Sequence, residues 1–206
     1  MAKRTSITLT VIRCGETAWD AQGRVHGATD LPLSDPGRSA LLEEVKRVGG
    51  VKAATIHHPP DEAARDTARL FATAGAKLKE VPELNDPNLG LLEGLTEEAF
   101  SERFRSRHKQ WSEDPIMLSP PEGEDVAVAA DRIFKAVAKI LRRSRSDDVV
   151  IVLHTLGRAM LRCWLADRPF VAMRDMEGGP AVERIVIPMP TIDALEAAAE
   201  SIATPS

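Results

Sequence analysis

Residues that can act as nucleophiles, bases or metal ligands follow directly after three short apolar runs of this chain. The three groups are Arg13-Cys14-Gly15-Glu16, His57-His58 and His154-Thr155. A cysteine thiolate is a strong nucleophile, and thiolate and imidazole are both ligands that zinc accepts. If the three groups converge, they form a binding or catalytic site that contains one of the two cysteines and three of the five histidines.

The elements around these groups are typical of an α/β protein. Five β-branched runs predict strands, at residues 7–12, 51–56, 77–81, 149–153 and 181–187. Helical patterns lie between them, at residues 34–48, 63–74, 124–143 and 156–166. This alternation predicts a three-layer sandwich, in which helices flank a mostly parallel central sheet. Ligands of such sheets bind outside the carboxyl ends of the strands, so we expect the three groups at one edge.

The 206 residues predict a single domain over residues 1–190 and a C-terminal tail over residues 191–206. Residues 82–121 break the alternation of strands and helices, and we expect them to form a small lid insert with a helix near residues 96–110. The continuous apolar run at residues 149–153 predicts a strand that is buried on both faces. In the tail, residues 193–203 predict a short helix.

Composition excludes several classes of function. With 27 Lys+Arg against 31 Asp+Glu, the formal net charge is -4, so the chain lacks the basic character of nucleic-acid or anionic-membrane binders. Apolar runs are too short to span a membrane, and the N-terminus lacks the apolar core of a signal peptide. Two cysteines 149 positions apart form neither a disulfide framework nor a CxxC pair. We therefore expect a cytoplasmic protein that needs no cofactor.

The segment from Arg13 to Gly37 carries a motif. RCGETAWDAQGRVHGATDLPLSDPG resembles the signature of the histidine phosphatase superfamily, the group that contains the cofactor-dependent phosphoglycerate mutases. Further matches follow in order: Thr67-Ala68, LNDPNLGLLEGLT, PPEGED before the helix that contains Arg132, and VVIVLH. Ordered matches over residues 7–187 are far more specific than one short motif, and they imply a phosphoglycerate mutase-like fold.

The resemblance implies a two-step phosphoryl transfer. In that family a histidine becomes phosphorylated, two arginines and a second histidine bind the phosphoryl oxygens, and a glutamate protonates the leaving group. Residue by residue, Arg13 keeps the first arginine and His154 keeps the second histidine. Cys14 stands at the position of the nucleophile, and Asp86 stands at the position of the acid.

The second phosphate-binding arginine has no counterpart in either alignment of this chain. Its position holds Ala63 or Glu62, with Arg65 nearby on the same predicted helix. Scaffold residues of the family therefore match, whereas the nucleophile, the acid and the second arginine, which carry much of its chemistry, do not. The first interpretation is a pseudoenzyme that binds a small anionic or phosphorylated ligand, or a protein partner, and a homodimer is compatible with it.

Two alternatives remain open. Cys14 could be the nucleophile of a phosphomonoesterase or another hydrolase, with His154 and Asp86 as its partners. Cys14 and His154 could instead bind a metal ion together with His57 or His58. For a bound ligand, the expected contacts come from the residues near these groups. They are Arg13, Glu16, Thr17, Asp20, Arg24, His26 and Thr155.

Overall fold

The computed structural model describes residues 4–202, except for the side chains of residues 199–201. Five strands form one sheet in the order β3-β2-β4-β1-β5. They are β1 (Ser6–Arg13), β2 (Thr55–His58), β3 (Lys77–Glu80), β4 (Asp148–Leu153) and β5 (Val182–Pro188). Four of them run parallel, and β5 pairs antiparallel with β1. The mostly parallel sheet predicted from the sequence is confirmed.

Helices cover both faces of this sheet. They are α1 (Ala18–Ala21), α2 (Asp35–Val48), α3 (Glu62–Phe71), α4 (Glu97–Arg103), α5 (Arg105–Glu113), α6 (Val126–Arg143), α7 (Thr155–Leu165), α8 (Met173–Glu177) and α9 (Met189–Ile202). The cluster on one face contains Leu41 of α2 and Phe71 of α3. The cluster on the other contains Ile133 of α6, Met160 of α7 and Ile192 of α9. The predicted three-layer sandwich is therefore present.

Strand β4 separates these two cores. Val150 and Val152 belong to the cluster with α3, whereas Ile151 and Leu153 belong to the cluster with α6. Alternate side chains of a strand point to opposite faces, and here both faces are covered. The continuous apolar run in the sequence thus arises from burial on both sides, as expected for a central strand of a parallel sheet.

The predicted lid insert, residues 82–121, is built into the core. Its apolar side chains Leu84, Leu89, Phe100 and Leu118 are almost fully buried in the cluster with α6. The helix predicted near residues 96–110 is two helices, α4 and α5, because Phe104 leaves helical geometry at φ -129° and ψ 48°. Phe104 packs against the core at this break, and tertiary packing thereby overrides the local helical pattern.

The segment predicted as a C-terminal tail, residues 191–206, contributes helix α9 to the domain. Ile192 and Leu195 are buried in the core beside α6, so the domain extends past residue 190. Residues 203–206, which include the last residue of the predicted helix, lie outside the described residues. Between residues 4 and 202, no helix is both long enough and apolar enough to cross a membrane.

A buried arginine of α7 supports the loop that precedes β5. The Arg158 guanidinium donates hydrogen bonds to the carbonyl oxygens of Glu177, Gly178 and Pro180, and it contacts the Glu183 carboxylate at 2.8 Å. The same loop accepts a hydrogen bond from the backbone N–H of Arg13 through the Ala181 carbonyl. Arg158 therefore fixes one side of the sheet edge at which the candidate site lies.

Candidate active site

A small pocket of about 110 Å³ lies at the carboxyl ends of β1 and β4. Its lining residues come from four parts of the chain. They are Arg13, Cys14, Gly15, Glu16, Asp20, His26, Asp86, His154 and Thr155. Strands β1 and β4 are neighbours in the sheet, so their ends deliver Cys14 and His154 to the same place. The sheet edge is where parallel α/β proteins bind ligands.

Three groups that can bind protons or metals cluster at the base of this pocket. The Nε2–H of His154 donates to Asp61 Oδ2 at 2.9 Å, and both side chains are about 10% exposed. One ligand atom from each of Cys14, Asp61 and His154 lies within 4.8 Å of the other two. Burial lowers the pKa of His154, but its contacts with Cys14 and with the Asp61 carboxylate outweigh that effect and raise the pKa well above its usual range.

Neighbouring groups orient each member of this cluster. Asp61 is the N-cap of α3, where its Oδ1 accepts a hydrogen bond from the Ala64 N–H at 2.9 Å. Cys14 Sγ lies 3.7 Å from the Thr67 hydroxyl, and that hydroxyl also accepts the Gly15 N–H at 3.1 Å. Helix α3 thus holds Cys14 in place through Thr67, and it holds Asp61 in place because that residue caps the helix.

Asp86 occupies the N-terminus of α7 behind His154. Its Oδ2 accepts the Leu156 N–H at 3.0 Å, and its Oδ1 accepts the Gly157 N–H at 2.7 Å. This close approach uses the glycine, because a Cβ at residue 157 would lie 3.0 Å from Asp86 Oδ1. Burial raises the pKa of Asp86 despite these hydrogen bonds and the nearby His154. The carboxyl group of Asp86 is therefore a helix cap with both oxygens engaged.

Arg132 of α6 fixes the backbone around Asp86. Its guanidinium pairs in a bidentate manner with Glu124, at 2.7 and 2.6 Å. The same group donates to the carbonyl oxygens of Glu83, Asn85 and Asp86. Planar guanidinium geometry suits such multiple acceptors, so the turn before α6 and the segment before Asp86 are held as one unit.

A second pair, Asp20 and His26, lines the wall of the pocket. Asp20 Oδ1 lies 3.6 Å from His26 Nδ1, while His26 Nε2–H donates to the Thr29 carbonyl at 3.1 Å. Burial alone would raise the pKa of Asp20, but contacts with His26 and Thr17 outweigh it and lower that pKa to about 2. Burial disfavours the charged form of His26, yet Asp20 and the Thr29 carbonyl raise its pKa.

We predict that Asp20→Asn lowers the pKa of His26 and destabilises the fold by about 1 kcal/mol near pH 5, a value reduced for partial exposure. The contribution of Asp20 is present above its unfolded pKa and is lost as pH falls through about 2. That of His26 is present below its unfolded pKa and is lost as pH rises through its raised folded pKa. NMR titration of the His26 ring and denaturant unfolding between pH 3 and 9 measure both effects.

His26→Gln is the control for this prediction, since it should remove the same pH dependence as Asp20→Asn. Asparagine can still accept the hydrogen bonds that Thr17 donates to residue 20, so α1 should remain capped. An unchanged His26 titration in Asp20→Asn would show that the two side chains do not interact.

Several residues expected in the site lie elsewhere. Thr17 is fully buried as the N-cap of α1, so it is a structural residue and does not face the pocket. Arg24 bonds to Gln22 and to the Gly94 carbonyl, and it lines an adjoining depression. Arg65 donates to the Pro60 carbonyl at 2.6 Å and does not line the pocket. It therefore does not replace the missing phosphate-binding arginine in this structure.

Neither His57 nor His58 joins the cluster of Cys14 and His154. His57 lies in a separate groove, with its Nδ1 3.4 Å from the Val150 carbonyl. His58 is buried, and its Nδ1 lies 2.6 Å from the Pro59 carbonyl. Within the part of the chain that the structure describes, the third possible metal ligand beside Cys14 and His154 is Asp61.

Sequence reasoning missed Asp61. The residue follows β2 and the pair Pro59-Pro60, and it precedes an apolar helical pattern, which together are a recognisable N-cap signal. That signal predicts the cap but not the partner, because His154 lies 93 residues away along the chain.

Comparisons with known proteins agree on one family. The model of the histidine phosphatase superfamily (branch 1) matches residues 9–187. An acid phosphatase from Mycobacterium tuberculosis is 32% identical over 161 residues, which cover 76% of this chain and 75% of that protein. A metal-independent phosphoserine phosphatase from Arabidopsis thaliana is 27% identical over 157 residues, covering 71% of this chain and 63% of that protein. This chain thus spans less than two thirds of the length of that plant relative.

Solved structures show the same fold. Bacillus stearothermophilus YhfR has a TM-score of 0.73 and 26% sequence identity, covering 81% of this chain and 83% of that one. A second structure, that of the Mycobacterium tuberculosis open reading frame Rv3214, has a TM-score of 0.65 and 27% identity, covering 82% and 84%.

Proposed function

The chain belongs to the histidine phosphatase superfamily (branch 1), and from this premise we propose that it is a pseudoenzyme. It keeps the fold and the pocket of the family but does not transfer phosphoryl groups through a phosphohistidine. One observation carries the proposal: the Asp61 carboxylate is hydrogen-bonded to His154 at 2.9 Å. The resemblance makes His154 a residue that binds phosphoryl oxygens, so the carboxylate would compete with the substrate for it.

The residue at the position of the family's nucleophile supports the same proposal. Cys14 follows Arg13 at the end of β1, in the place where the resemblance puts the nucleophilic histidine. A thiol cannot form a phosphohistidine, and Cys14 is 8% exposed, so little of its surface is open to a substrate. The first step of the family reaction therefore lacks its acceptor atom.

The phosphate clamp is also incomplete. Ala63 is fully buried in α3, while Glu62 is exposed and carries the wrong charge. Among the described residues that line the pocket, Arg13 is the one permanent cation, and the side chains of Glu16, Asp20 and Asp86 line the same pocket. Like charges oppose the binding of a phosphate dianion, which ordinarily needs several cations or backbone donors. A small anionic or phosphorylated ligand, or a protein partner, remains a prediction for binding measurements.

The test is an assay on the purified full chain treated with a chelator. We expect hydrolysis of an aryl phosphate to stay at the rate of the Cys14→Ala variant, and no phosphohistidine to be detected by mass spectrometry. The Mycobacterium tuberculosis acid phosphatase is the positive control for both measurements. Turnover with a phosphorylated histidine would refute the proposal.

A Cys14-dependent hydrolase is a second candidate, favoured by the arrangement of Cys14, His154 and Asp61. In cysteine hydrolases a histidine beside the sulfur favours the thiolate, and a third polar group orients that histidine. The contact between His154 and Asp61 supplies the orienting group. Hydrolysis of aryl esters or phosphates that is lost in Cys14→Ala but retained in Cys163→Ala would establish this candidate in place of the pseudoenzyme.

A further inference from the structure

We propose that Cys14, Asp61 and His154 bind a single Zn²⁺ ion, with a fourth coordination position that opens into the pocket. The inference rests on the proposed function, in which Cys14 is not a catalytic nucleophile. A thiolate that coordinates a metal ion is not free to attack a substrate. The third ligand is the carboxylate of Asp61, whereas the sequence predicts His57 or His58 in that role.

The donor set fits zinc. Thiolate sulfur, imidazole nitrogen and carboxylate oxygen bind this ion at about 2.3, 2.0 and 2.1 Å, and tetrahedral geometry then places the ligand atoms about 3.3–3.8 Å apart. The three atoms already lie within 4.8 Å of one another. Closing on an ion therefore requires each pair of ligand atoms to approach by about 1.5 Å at most.

The scaffold holds these ligands before any ion binds. Cys14 comes from the end of β1, His154 from the end of β4, and Asp61 from the start of α3. Thr67 contacts the sulfur, and the Ala64 N–H fixes the second oxygen of Asp61. Such outer contacts orient metal ligands and are a regular feature of real metal sites.

The charges around the cluster favour a cation over an anion. Glu16, Asp20 and Asp86 line the pocket, and Asp61 adds a fourth carboxylate at its base. These four carboxylates outnumber the two basic side chains beside the cluster, Arg13 and His26. A divalent ion would take the place of the proton that His154 donates to Asp61, and it would neutralise the Asp61 carboxylate. Three protein ligands with an open fourth position are the arrangement of catalytic zinc sites, in which water or a coordinating ligand completes the shell.

The test is titration of the metal-free full chain with Zn²⁺ by calorimetry, and with Co²⁺ as a spectroscopic substitute. We expect one equivalent of Zn²⁺ to bind with release of protons to the buffer. Co²⁺ should give a near-ultraviolet charge-transfer band, which reports a bond to sulfur, and the strong visible bands of a tetrahedral site. Loss of an outer contact weakens metal sites about 10–100-fold, so Cys14→Ser and Asp61→Asn should each weaken Zn²⁺ binding at least about 100-fold.

Cys163→Ser is the matched control, because Cys163 is the other buried cysteine and does not line the pocket. It should leave Zn²⁺ binding and the charge-transfer band unchanged. Absence of stoichiometric Zn²⁺ binding to the wild type, or binding that neither Cys14→Ser nor Asp61→Asn weakens, would overturn the inference. If Cys14→Ser does not fold, the charge-transfer band of the wild type and its loss on adding Zn²⁺ decide the matter.

The two proposals fail in different ways. Phosphohistidine turnover by metal-free protein would refute the pseudoenzyme without any metal measurement. Failure to bind Zn²⁺ in a protein that also lacks phosphatase activity would overturn the metal site alone.

Discussion

Replacing Asp61 by alanine should lower the free energy of unfolding by about 4–6 kcal/mol, since breaking a buried ion pair costs about 3–5 kcal/mol and losing an N-cap about 1 kcal/mol. Asp61 performs both tasks, one with each oxygen: Oδ2 accepts from His154 and Oδ1 accepts from the Ala64 N–H. Both side chains of the pair are about 10% exposed, so the pair is largely shielded from water. Denaturant unfolding monitored by circular dichroism measures the change.

Asparagine at position 61 separates the two tasks. Its carbonyl oxygen can still cap α3, but its amide presents hydrogens toward the Nε2–H of His154. Asp61→Asn should therefore be about 1 kcal/mol less damaging than Asp61→Ala, the difference being the cap. It should also lower the pKa of His154, because the Asp61 carboxylate is one of the two groups that raise it against burial.

The stabilisation by this pair should depend on pH with a definite sign. The contact with His154 lowers the pKa of Asp61 against the effect of burial, so the contribution of Asp61 is present above its unfolded pKa and is lost as pH falls through the folded value. The pKa of His154 is raised, so its contribution is present below its unfolded pKa and is lost as pH rises through the folded value. The difference between wild type and Asp61→Asn should thus be greatest between the unfolded pKa values of the two residues, about pH 4 to 6.5.

Asp30→Ala is the control for the Asp61 series. Asp30 also accepts a backbone N–H at the start of α3, from Glu62 at 2.8 Å, but it does not contact His154. We expect it to cost about 1 kcal/mol or less, as for an exposed cap. If Asp61→Ala costs no more than Asp30→Ala, the pair of Asp61 and His154 contributes no net stability.

The fold was predictable because its signals are local or periodic. The apolar run at residues 149–153 predicted the buried strand β4, and the helical pattern at residues 34–48 predicted α2. The break between α4 and α5 was not predictable, because Phe104 leaves helical geometry to pack against a core formed by distant residues. Burial of α9 escaped prediction for the same reason, since its partner α6 lies far away along the chain.

The site was only partly predictable, because strand order decides which strand ends meet. Cys14 and His154 share the pocket since β1 and β4 are neighbours, whereas His57 and His58 end a strand on the far side of β4. Thr17 shows a different limit. Its motif position suggested a ligand contact, but with Asp20 it forms a capping box, which is a local structural device. Residue type and spacing alone do not distinguish a residue that caps a helix from one that contacts a ligand, because they do not give the direction of the side chain.

Asp86 also has two possible roles. The resemblance makes it the acid that protonates the leaving group, whereas in the structure it caps α7. Asp86→Ala should lower the free energy of unfolding by about 2–6 kcal/mol, because it leaves two buried N–H groups unpaired, each costing about 1–3 kcal/mol. It also removes the acceptor group from the positive end of the α7 dipole. Denaturant unfolding measures the loss, and faster amide hydrogen exchange at Leu156 and Gly157 locates it.

Two further variants separate a cap from an acid. Asp86→Asn keeps one acceptor and should lose about half as much stability as Asp86→Ala, or about 1–3 kcal/mol. Thr155→Ala changes a neighbouring pocket residue that accepts neither N–H, and it should cost less than about 1 kcal/mol. If Asp86→Ala instead unfolds like the wild type and keeps both amides protected, the carboxyl group is not held by α7. Asp86 would then be free to donate a proton into the pocket, which is the role that the resemblance gives it.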